Sequence, residues 1–406
     1  MKESIGIGIL REGKIPIDLR VPLSPKQAKE LIDKFKGVQV FIQSSPIRCF
    51  SDKEYKEQGL PIVQDLHDCD ILLGIKEVPI PELLENKTYL FFSHTIKKQT
   101  YNRELLRTIL NKKIRLIDYE CLTEENGLRL IAFGRYAGIV GAINGIWAYG
   151  QKNKLFKLKR AKDCFDLEEL KKESKKIKLP PIKIALTGGG RAANGAMEIL
   201  NAMGICKVSP KDYLTESFAF PVYTQLRSSD YHKRKEGKEF SAQEFYQNPE
   251  RYLSTFTSYT SSTDILIATA FWHPEAPALF SRESMVEKNF KLSVIADVTC
   301  DINGSIPSTK KTSSIEDPVY DYDPVNNRIM PPFSNKDFVT TMAIDNLPTE
   351  LPRDASIDFG NEMLLHILPA LLGHDEEGII QRATIAENGK LTSIFSYLQD
   401  FVEGKE

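Results

Sequence analysis

One stretch limits what this chain can fold into more than any other. Residues 182–187 read Ile-Lys-Ile-Ala-Leu-Thr, an apolar strand, and run directly into Gly188-Gly189-Gly190-Arg191-Ala192-Ala193-Asn194-Gly195. Residues 196–204, Ala-Met-Glu-Ile-Leu-Asn-Ala-Met-Gly, then continue as a helix. Gly188-x-Gly190-x-x-Ala193 fits G-x-G-x-x-[GA] in the context that pattern requires, between a strand and a helix. The first glycine allows the tight turn, the second lets a pyrophosphate approach the backbone, and the small third residue lets helix pack on strand. Dinucleotide binding is the expectation. A ribose-binding acid is expected about 20 residues on. The strand expected at residues 205–208 is followed by Ser209-Pro210-Lys211-Asp212. Asp212 suits a 2′-hydroxyl, whereas Ser209 with Lys207, Lys211 or Arg191 suits a 2′-phosphate. NAD and NADP both stay open, with NADP(H) preferred.

The rest of the chain agrees with an α/β architecture. Apolar strands are expected at residues 4–10, 38–42, 71–75, 89–93 and 114–117, and later at 264–270 and 292–297. Ser24-Pro25-Lys26-Gln27 has the form of a capping box with proline at the first helical position. Ala28, Leu31, Ile32 and Phe35 follow on one face, and Gly37 ends the helix. Alternating strands and helices imply parallel sheets. The 406 residues predict two or three domains, with a core large enough to need no metal or disulfide. Lys+Arg is 54 against Asp+Glu 55, which excludes nucleic-acid binding driven by overall charge. The lysine-rich run 152–178 reads as solvated helices. The small residues of 137–148 suit a helix packed closely on another backbone. No apolar run is long enough to span a membrane, and no signal peptide is expected. Six scattered cysteines without C-x-x-C read as reduced thiols in a cytoplasmic protein with no metal site.

Two polar groups stand at the C-terminal ends of apolar strands, where ligand crevices form in α/β sheets. They are Lys76-Glu77 and His94. A lysine there acts as a base or holds a carboxylate, and a histidine is a natural acid/base. His67 and His232 read as exposed. Asp297 and Asp301 read as turn-forming acids.

The motif Leu10-Arg11 followed by Asp18-Leu19-Arg20-Val21-Pro22-Leu23-Ser24-Pro25 resembles the opening of the alanine dehydrogenase/transhydrogenase superfamily. Narrower motifs follow: Phe91-Phe92-Ser93-His94-Thr95-Ile96-Lys97-Lys98-Gln99, Ile114-Arg115-Leu116-Ile117-Asp118-Tyr119-Glu120 and Ala132-Phe133-Gly134-Arg135-Tyr136-Ala137-Gly138. With Asn248-Pro249-Glu250-Arg251-Tyr252 and Ile344-Asp345-Asn346-Leu347-Pro348, they resemble lysine-forming saccharopine dehydrogenase. They resemble still more the lysine–2-oxoglutarate reductase half of bifunctional aminoadipic semialdehyde synthase. The resemblance implies two Rossmann-like domains with parallel sheets and a cleft between them. Residues 1–140 plus 346–406 would form the catalytic domain and 141–345 the dinucleotide-binding domain. It implies reversible condensation of L-lysine with 2-oxoglutarate to an imine that NAD(P)H reduces to saccharopine. Lys76 and His94 match the catalytic pair; Arg20, Arg129 and Phe133 match substrate contacts. Gln99, Gly190, Arg191, Ile344, Asp345, Asn346 and Leu347 match cofactor contacts or the adjoining cleft.

Guanidinium forks at Arg20 and Arg129 suit di- and tricarboxylates. Glu77 and Glu120 suit the lysine ammonium and tune the two titrating groups. The departures are Ala193, where some relatives have glycine, and Ser209, where an acid would bind ribose. Saccharopine cleavage is expected of a separate glutamate-forming enzyme. The competing readings are alanine dehydrogenase, or another amino-acid dehydrogenase of the superfamily, and a nucleotide-binding regulatory protein without activity. The segment around His94 argues against the second reading, and the joint presence of Lys76, His94, Arg20 and Arg129 against the third.

Overall fold

A computed structural model describes residues 4–405; residues 1–3 and 406, which the expected catalytic domain includes, lie outside the described residues. The chain divides into two compact units. One holds the residues up to Phe133 together with those from Pro352 onward, the other Gly134–Leu351. The divisions fall there, rather than at 140 and 345, because the helix Gly134–Lys152 is continuous and belongs whole to the second unit.

The strands run in chain order. β1 (Ile5–Ile9), β2 (Val38–Gln43), β3 (Ile62–Val63), β4 (Ile71–Leu73), β5 (Thr88–Phe91) and β6 (Arg115–Asp118) lie in the first unit. The second holds β7 (Lys183–Thr187), β8 (Cys206–Lys207), β9 (Val222–Leu226), β10 (His232–Arg234) and β11 (Tyr252–Ser254). β12 (Ile265–Ala268), β13 (Val294–Asp297), β14 (Tyr320–Asp323), β15 (Arg328–Met330) and β16 (Val339–Met342) complete it. β17 (Thr384–Glu387) and β18 (Lys390–Leu391) return to the first unit.

The first sheet has the order β18-β17-β6-β5-β4-β1-β2-β3. Its six strands from β1 to β6 are parallel, while β17 and β18 add an antiparallel edge. Parallel strands are covered on both faces, which is why β4 and β5 read as near-continuous apolar runs. The helix Pro25–Lys34 starts as its sequence predicts: the Gln27 side chain accepts the Ser24 backbone N–H at 3.0 Å. Met363, Ile367 and Leu368, from the apolar stretch 363–372, are buried in the same core as Ile7, Ile9 and Leu90.

The second sheet has the order β15-β14-β16-β13-β12-β7-β9-β8. Six of its strands are parallel, and β14 and β15 form an antiparallel edge. Both sheets are therefore mixed at one edge. The second also contains a strand that the sequence does not announce. β9 lies beside β7 and pushes β8 to the outside. A separate hairpin pairs β10 with β11. The small residues of the helix Gly134–Lys152 bring it against the helix Arg191–Ala202. A Cβ on Gly138 would sit 1.8 Å from the Ala192 carbonyl oxygen, and one on Gly195 1.9 Å from that of Arg135. The lysine-rich run is paired within this unit, with Lys159 on Glu169, Lys162 on Glu316 and Lys171 on Glu198.

Candidate active site and nucleotide loop

The expected site residues fall into two sets, one in each unit. In the first unit, β4 and β5 are neighbours, with Leu73 opposite Leu90. Their C-terminal ends therefore carry Lys76-Glu77 and His94 side by side. His94 sits at φ 52°, left-handed backbone, just before the turn Thr95–Lys97. A non-glycine residue in this conformation is strained backbone that its surroundings must hold in place. Its Nδ1 lies 2.7 Å from Glu77 Oε1, and Lys14 Nζ lies 2.6 Å from Glu77 Oε2. Burial raises the Glu77 carboxyl pKa, but the hydrogen bonds from His94 and Lys14 outweigh burial and bring it down to about 2. An ionised carboxylate only accepts, so Nδ1–H donates to it and Nε2 is left for proton exchange. The Phe92 ring stacks on the imidazole at 6.4 Å.

Asp118 ties the ends of β5 and β6 together. Its carboxylate accepts the backbone N–H of Ser93 at 3.0 Å and that of Glu120 at 2.7 Å, and it accepts the Ser93 hydroxyl. Glu120 is thereby held next to His94. Its Oε1 receives Arg129 Nη2 at 2.5 Å, with Lys97 Nζ at 3.6 Å. Burial works against the Glu120 charge, yet Arg129 and Lys97 keep its pKa below the usual value. Its Oε2 is buried with no hydrogen-bond partner. Arg129 is exposed, as is Gln99, whose side-chain oxygen accepts the Tyr101 hydroxyl at 2.5 Å. Arg20 takes a different place from a surface fork. It is 3% exposed, holds Asp18 through Nε at 2.9 Å and Nη2 at 2.5 Å, and lies 4.1 Å above the Phe133 ring. Phe133 in turn stacks on Phe359 at 4.6 Å.

Glu12 is a residue that sequence reasoning missed. Its Oε1 accepts the Ile75 N–H at 2.7 Å and its Oε2 the Lys76 N–H at 2.9 Å, so the carboxyl clamps the peptide that carries the candidate base. Burial, helped by the Asp18 charge, raises its pKa to about 8 against the pull of the two N–H groups. Lys14 carries no sequence signal either, and Lys97 stands inside the motif at residues 91–99 without a role of its own there.

In the second unit the glycine loop joins β7 to the helix Arg191–Ala202. Gly188 has φ +106°, and a Cβ there would also lie 2.9 Å from Thr269 Oγ1. A Cβ on Gly190 would meet nothing within 4 Å. The backbone thus presents open space before a helix N-terminus, the cradle a pyrophosphate needs. Ala193 is fully buried and Arg191 exposed. The pyrophosphate end of a dinucleotide therefore fits these residues. Ser209 and Asp212 stand elsewhere than expected. They follow the outer strand β8, and Ser209 Oγ donates to Asp212 Oδ2 at 2.7 Å and accepts the Asp212 N–H, capping the helix Pro210–Thr215. Ile344 and Leu347 are buried; Asp345 is exposed and Asn346 half-buried, all following β16. Asp297 forms the expected turn, accepting from Thr299 and Thr309. His232, expected exposed, is buried between Tyr231 and Phe245.

The family model of the alanine dehydrogenase/PNT N-terminal domain matches residues 8–140, and that of the C-terminal domain residues 175–393. The chain belongs to this family of oxidoreductases. An alpha-aminoadipic semialdehyde synthase of Arabidopsis thaliana is 30% identical over 97% of this chain and 41% of its own length. The mitochondrial synthase of Mus musculus is 30% identical over 98% of this chain and 48% of its own. The chain thus spans about half the length of these relatives. A saccharopine dehydrogenase [NAD(+), L-lysine-forming] of Schizosaccharomyces pombe is 29% identical over 92% of this chain and 95% of its own. Among solved structures, an L-alanine dehydrogenase shares the fold with a TM-score of 0.66 and 16% identity, covering 99% of this chain and 100% of its own. A transhydrogenase from Sinorhizobium meliloti shares it at 0.60 and 14%, covering 95% and 98%. No helix among the described residues is long and apolar enough to cross a membrane.

Proposed function

We propose that this member of the alanine dehydrogenase/PNT family interconverts L-lysine, 2-oxoglutarate and NAD(P)H with saccharopine, water and NAD(P)+. The observation that carries the reading is His94 held by ionised Glu77 beside Lys76, with the half-satisfied carboxylate of Glu120 next to it. Relatives named for saccharopine and aminoadipic semialdehyde chemistry support the same substrate class.

The lysine ε-amine attacks the ketone carbon of 2-oxoglutarate, and the resulting carbinolamine loses water to give an imine. These steps move protons on nitrogen and on oxygen, which calls for two titrating groups. Lys76 and His94 are assigned that work, with His94 Nε2 as the exchanging atom. Glu77 fixes the imidazole tautomer, and Glu12 fixes the Lys76 peptide. The unpartnered Oε2 of Glu120 is the acceptor that an incoming ammonium satisfies. Exposed Arg129 receives a substrate carboxylate. Arg20, already held by Asp18, shapes the wall with Phe133. The bound nicotinamide supplies the hydride that reduces the imine carbon.

The test is nicotinamide absorbance with lysine and 2-oxoglutarate, against a control with pyruvate and ammonium. Oxidation of the reduced cofactor with the first pair alone supports the reading. Oxidation with the second pair alone assigns alanine dehydrogenase instead.

A further inference from the structure

The antiparallel edge of the first sheet carries a cleft that the reaction proposed above does not use. It measures about 580 Å³, within the range of small-molecule sites, and the residues lining it all belong to the first unit. Ala370, Leu371, Ile380, Leu391 and Ile394 supply its apolar wall. Four charged side chains line it as well: Asp375, Arg115, Glu387 and Lys390.

Asp375 forms one pole. Its Oδ2 accepts the Gln381 N–H at 2.9 Å and its carbonyl accepts the Gly378 N–H at 3.0 Å, which fixes it to the helix Ile379–Ala383 that leads into β17. Its Oδ1 is buried and has no hydrogen-bond partner. A buried carboxylate oxygen without a donor is costly, and a donor supplied by a ligand removes that cost.

The other pole lies at the hairpin joining β17 to β18. Asn388 and Gly389, at φ 53° and 77°, make its turn, so Glu387 and Lys390 stand directly opposite each other. They do not pair. Glu387 Oε2 turns instead to Arg115 Nε, 3.8 Å away at the start of β6, and that Nε is buried without a hydrogen bond. Glu387 thus offsets one of two cations, and the Lys390 ammonium makes no ion pair among the described residues. The four residues of β17 separate the poles and span roughly 10 Å. An acid lacking a donor, a cation lacking an acid and an apolar wall between them suit methylenes with an ammonium at one end and a carboxylate at the other.

We propose that this cleft binds a linear amino acid whose ammonium and carboxylate are several methylenes apart. The ammonium meets Asp375 Oδ1, the methylenes lie along the apolar wall, and the carboxylate meets Lys390 and Arg115. The proposal does not rest on the reaction assigned to the strand ends of the same unit.

The test is isothermal titration calorimetry of the full chain with 6-aminohexanoate, with hexanoate and hexylamine as controls that each lack one pole. 6-Aminohexanoate is expected to bind at least tenfold more tightly than either control, about 1.4 kcal/mol. Binding should persist in Glu120→Gln, which removes the ammonium acceptor of the candidate active site. Adding Asp375→Asn to that variant should weaken binding at least tenfold without shifting the melting temperature, because the amide oxygen still accepts the Gln381 N–H. Adding Lys390→Gln instead should weaken it by roughly threefold, since that ammonium is exposed. Loss of all binding in Glu120→Gln would place the ligand in the active site and overturn the proposal. Equal binding of either control would overturn the two-pole chemistry, and no binding at millimolar 6-aminohexanoate would overturn the site. None of these outcomes touches the saccharopine reading, which product formation decides.

Discussion

At the strand ends of the first unit, charges come already paired: Glu77 with His94 and Lys14, Asp18 with Arg20, Glu120 with Arg129 and Lys97. At the end of β7 in the second unit there are glycines and the open backbone before a helix N-terminus. The two sheets share an architecture of six parallel strands and an antiparallel edge, so architecture does not make the difference. Chemistry does. A site that moves protons needs groups whose ionisation is set in advance by fixed neighbours. A site that binds a large anion needs open backbone and positive charge that the ligand itself satisfies.

The largest effect that sharpens this contrast comes from the paired site. His94→Gln or Lys76→Met should lower turnover by roughly 10² to 10⁴-fold. Dinucleotide affinity, measured by fluorescence titration, should stay unchanged; a parallel loss of affinity would mean the two sets of residues do not have separate tasks. Next comes the open site. Gly190→Val should raise the nucleotide dissociation constant at least tenfold, about 1.4 kcal/mol, without shifting the melting temperature, because its Cβ meets nothing in the protein. Gly138→Ala is its opposite. There the Cβ lies 1.8 Å from a backbone oxygen, and unfolding experiments should show a loss of about 1–3 kcal/mol or more.

The pre-set ionisation can be read from pH. Glu77 has its pKa depressed from 4.5 to about 2, so its stabilisation is full above 4.5 and disappears as the pH falls towards 2. Its side chain is 8% exposed, and the contribution is roughly 3 kcal/mol. Urea midpoints of Glu77→Gln should therefore be flatter than wild type across that acid window. An unchanged slope would mean the carboxylate is not held ionised. Glu12 works in the other direction. Its pKa is raised to about 8, so the folded state loses stability as the pH climbs from 4.5 to 8, and Glu12→Gln should remove that slope. Its displacement is wider than that of Glu77, so its slope should be at least as steep.

Much of this contrast was legible in the sequence, and unevenly so. The glycine loop, the capping box at Ser24 and the polar strand ends at Lys76 and His94 carry local signals, and each lies where its signal put it. β9 was not legible. It follows Pro221 and carries Thr224 and Gln225 inside a five-residue strand, so neither an apolar run nor a clean alternation marks it. Without it, the expected ribose contacts Ser209 and Asp212 follow β8, which is the outermost strand of the sheet and not the neighbour of β7. β14 hid for a related reason. Its alternating Tyr-Asp-Tyr-Asp is no apolar run, yet all four residues are buried, with Asp321 satisfied by Thr340 Oγ1 at 2.7 Å and Asp323 by Asn326. Glu12 and His232 became visible only through tertiary neighbours: two backbone N–H groups from a distant strand end for one, two aromatic rings for the other.

Saccharopine chemistry is the proposed task of the paired charges of the first unit. The most direct measurement is product identification by mass spectrometry after incubating the chain with lysine, 2-oxoglutarate and NADPH or NADH. Saccharopine is expected in amounts matching the cofactor oxidised, and at least a hundredfold less from His94→Gln. Cofactor oxidation that yields alanine from pyruvate and ammonium, with no saccharopine from lysine, would contradict it.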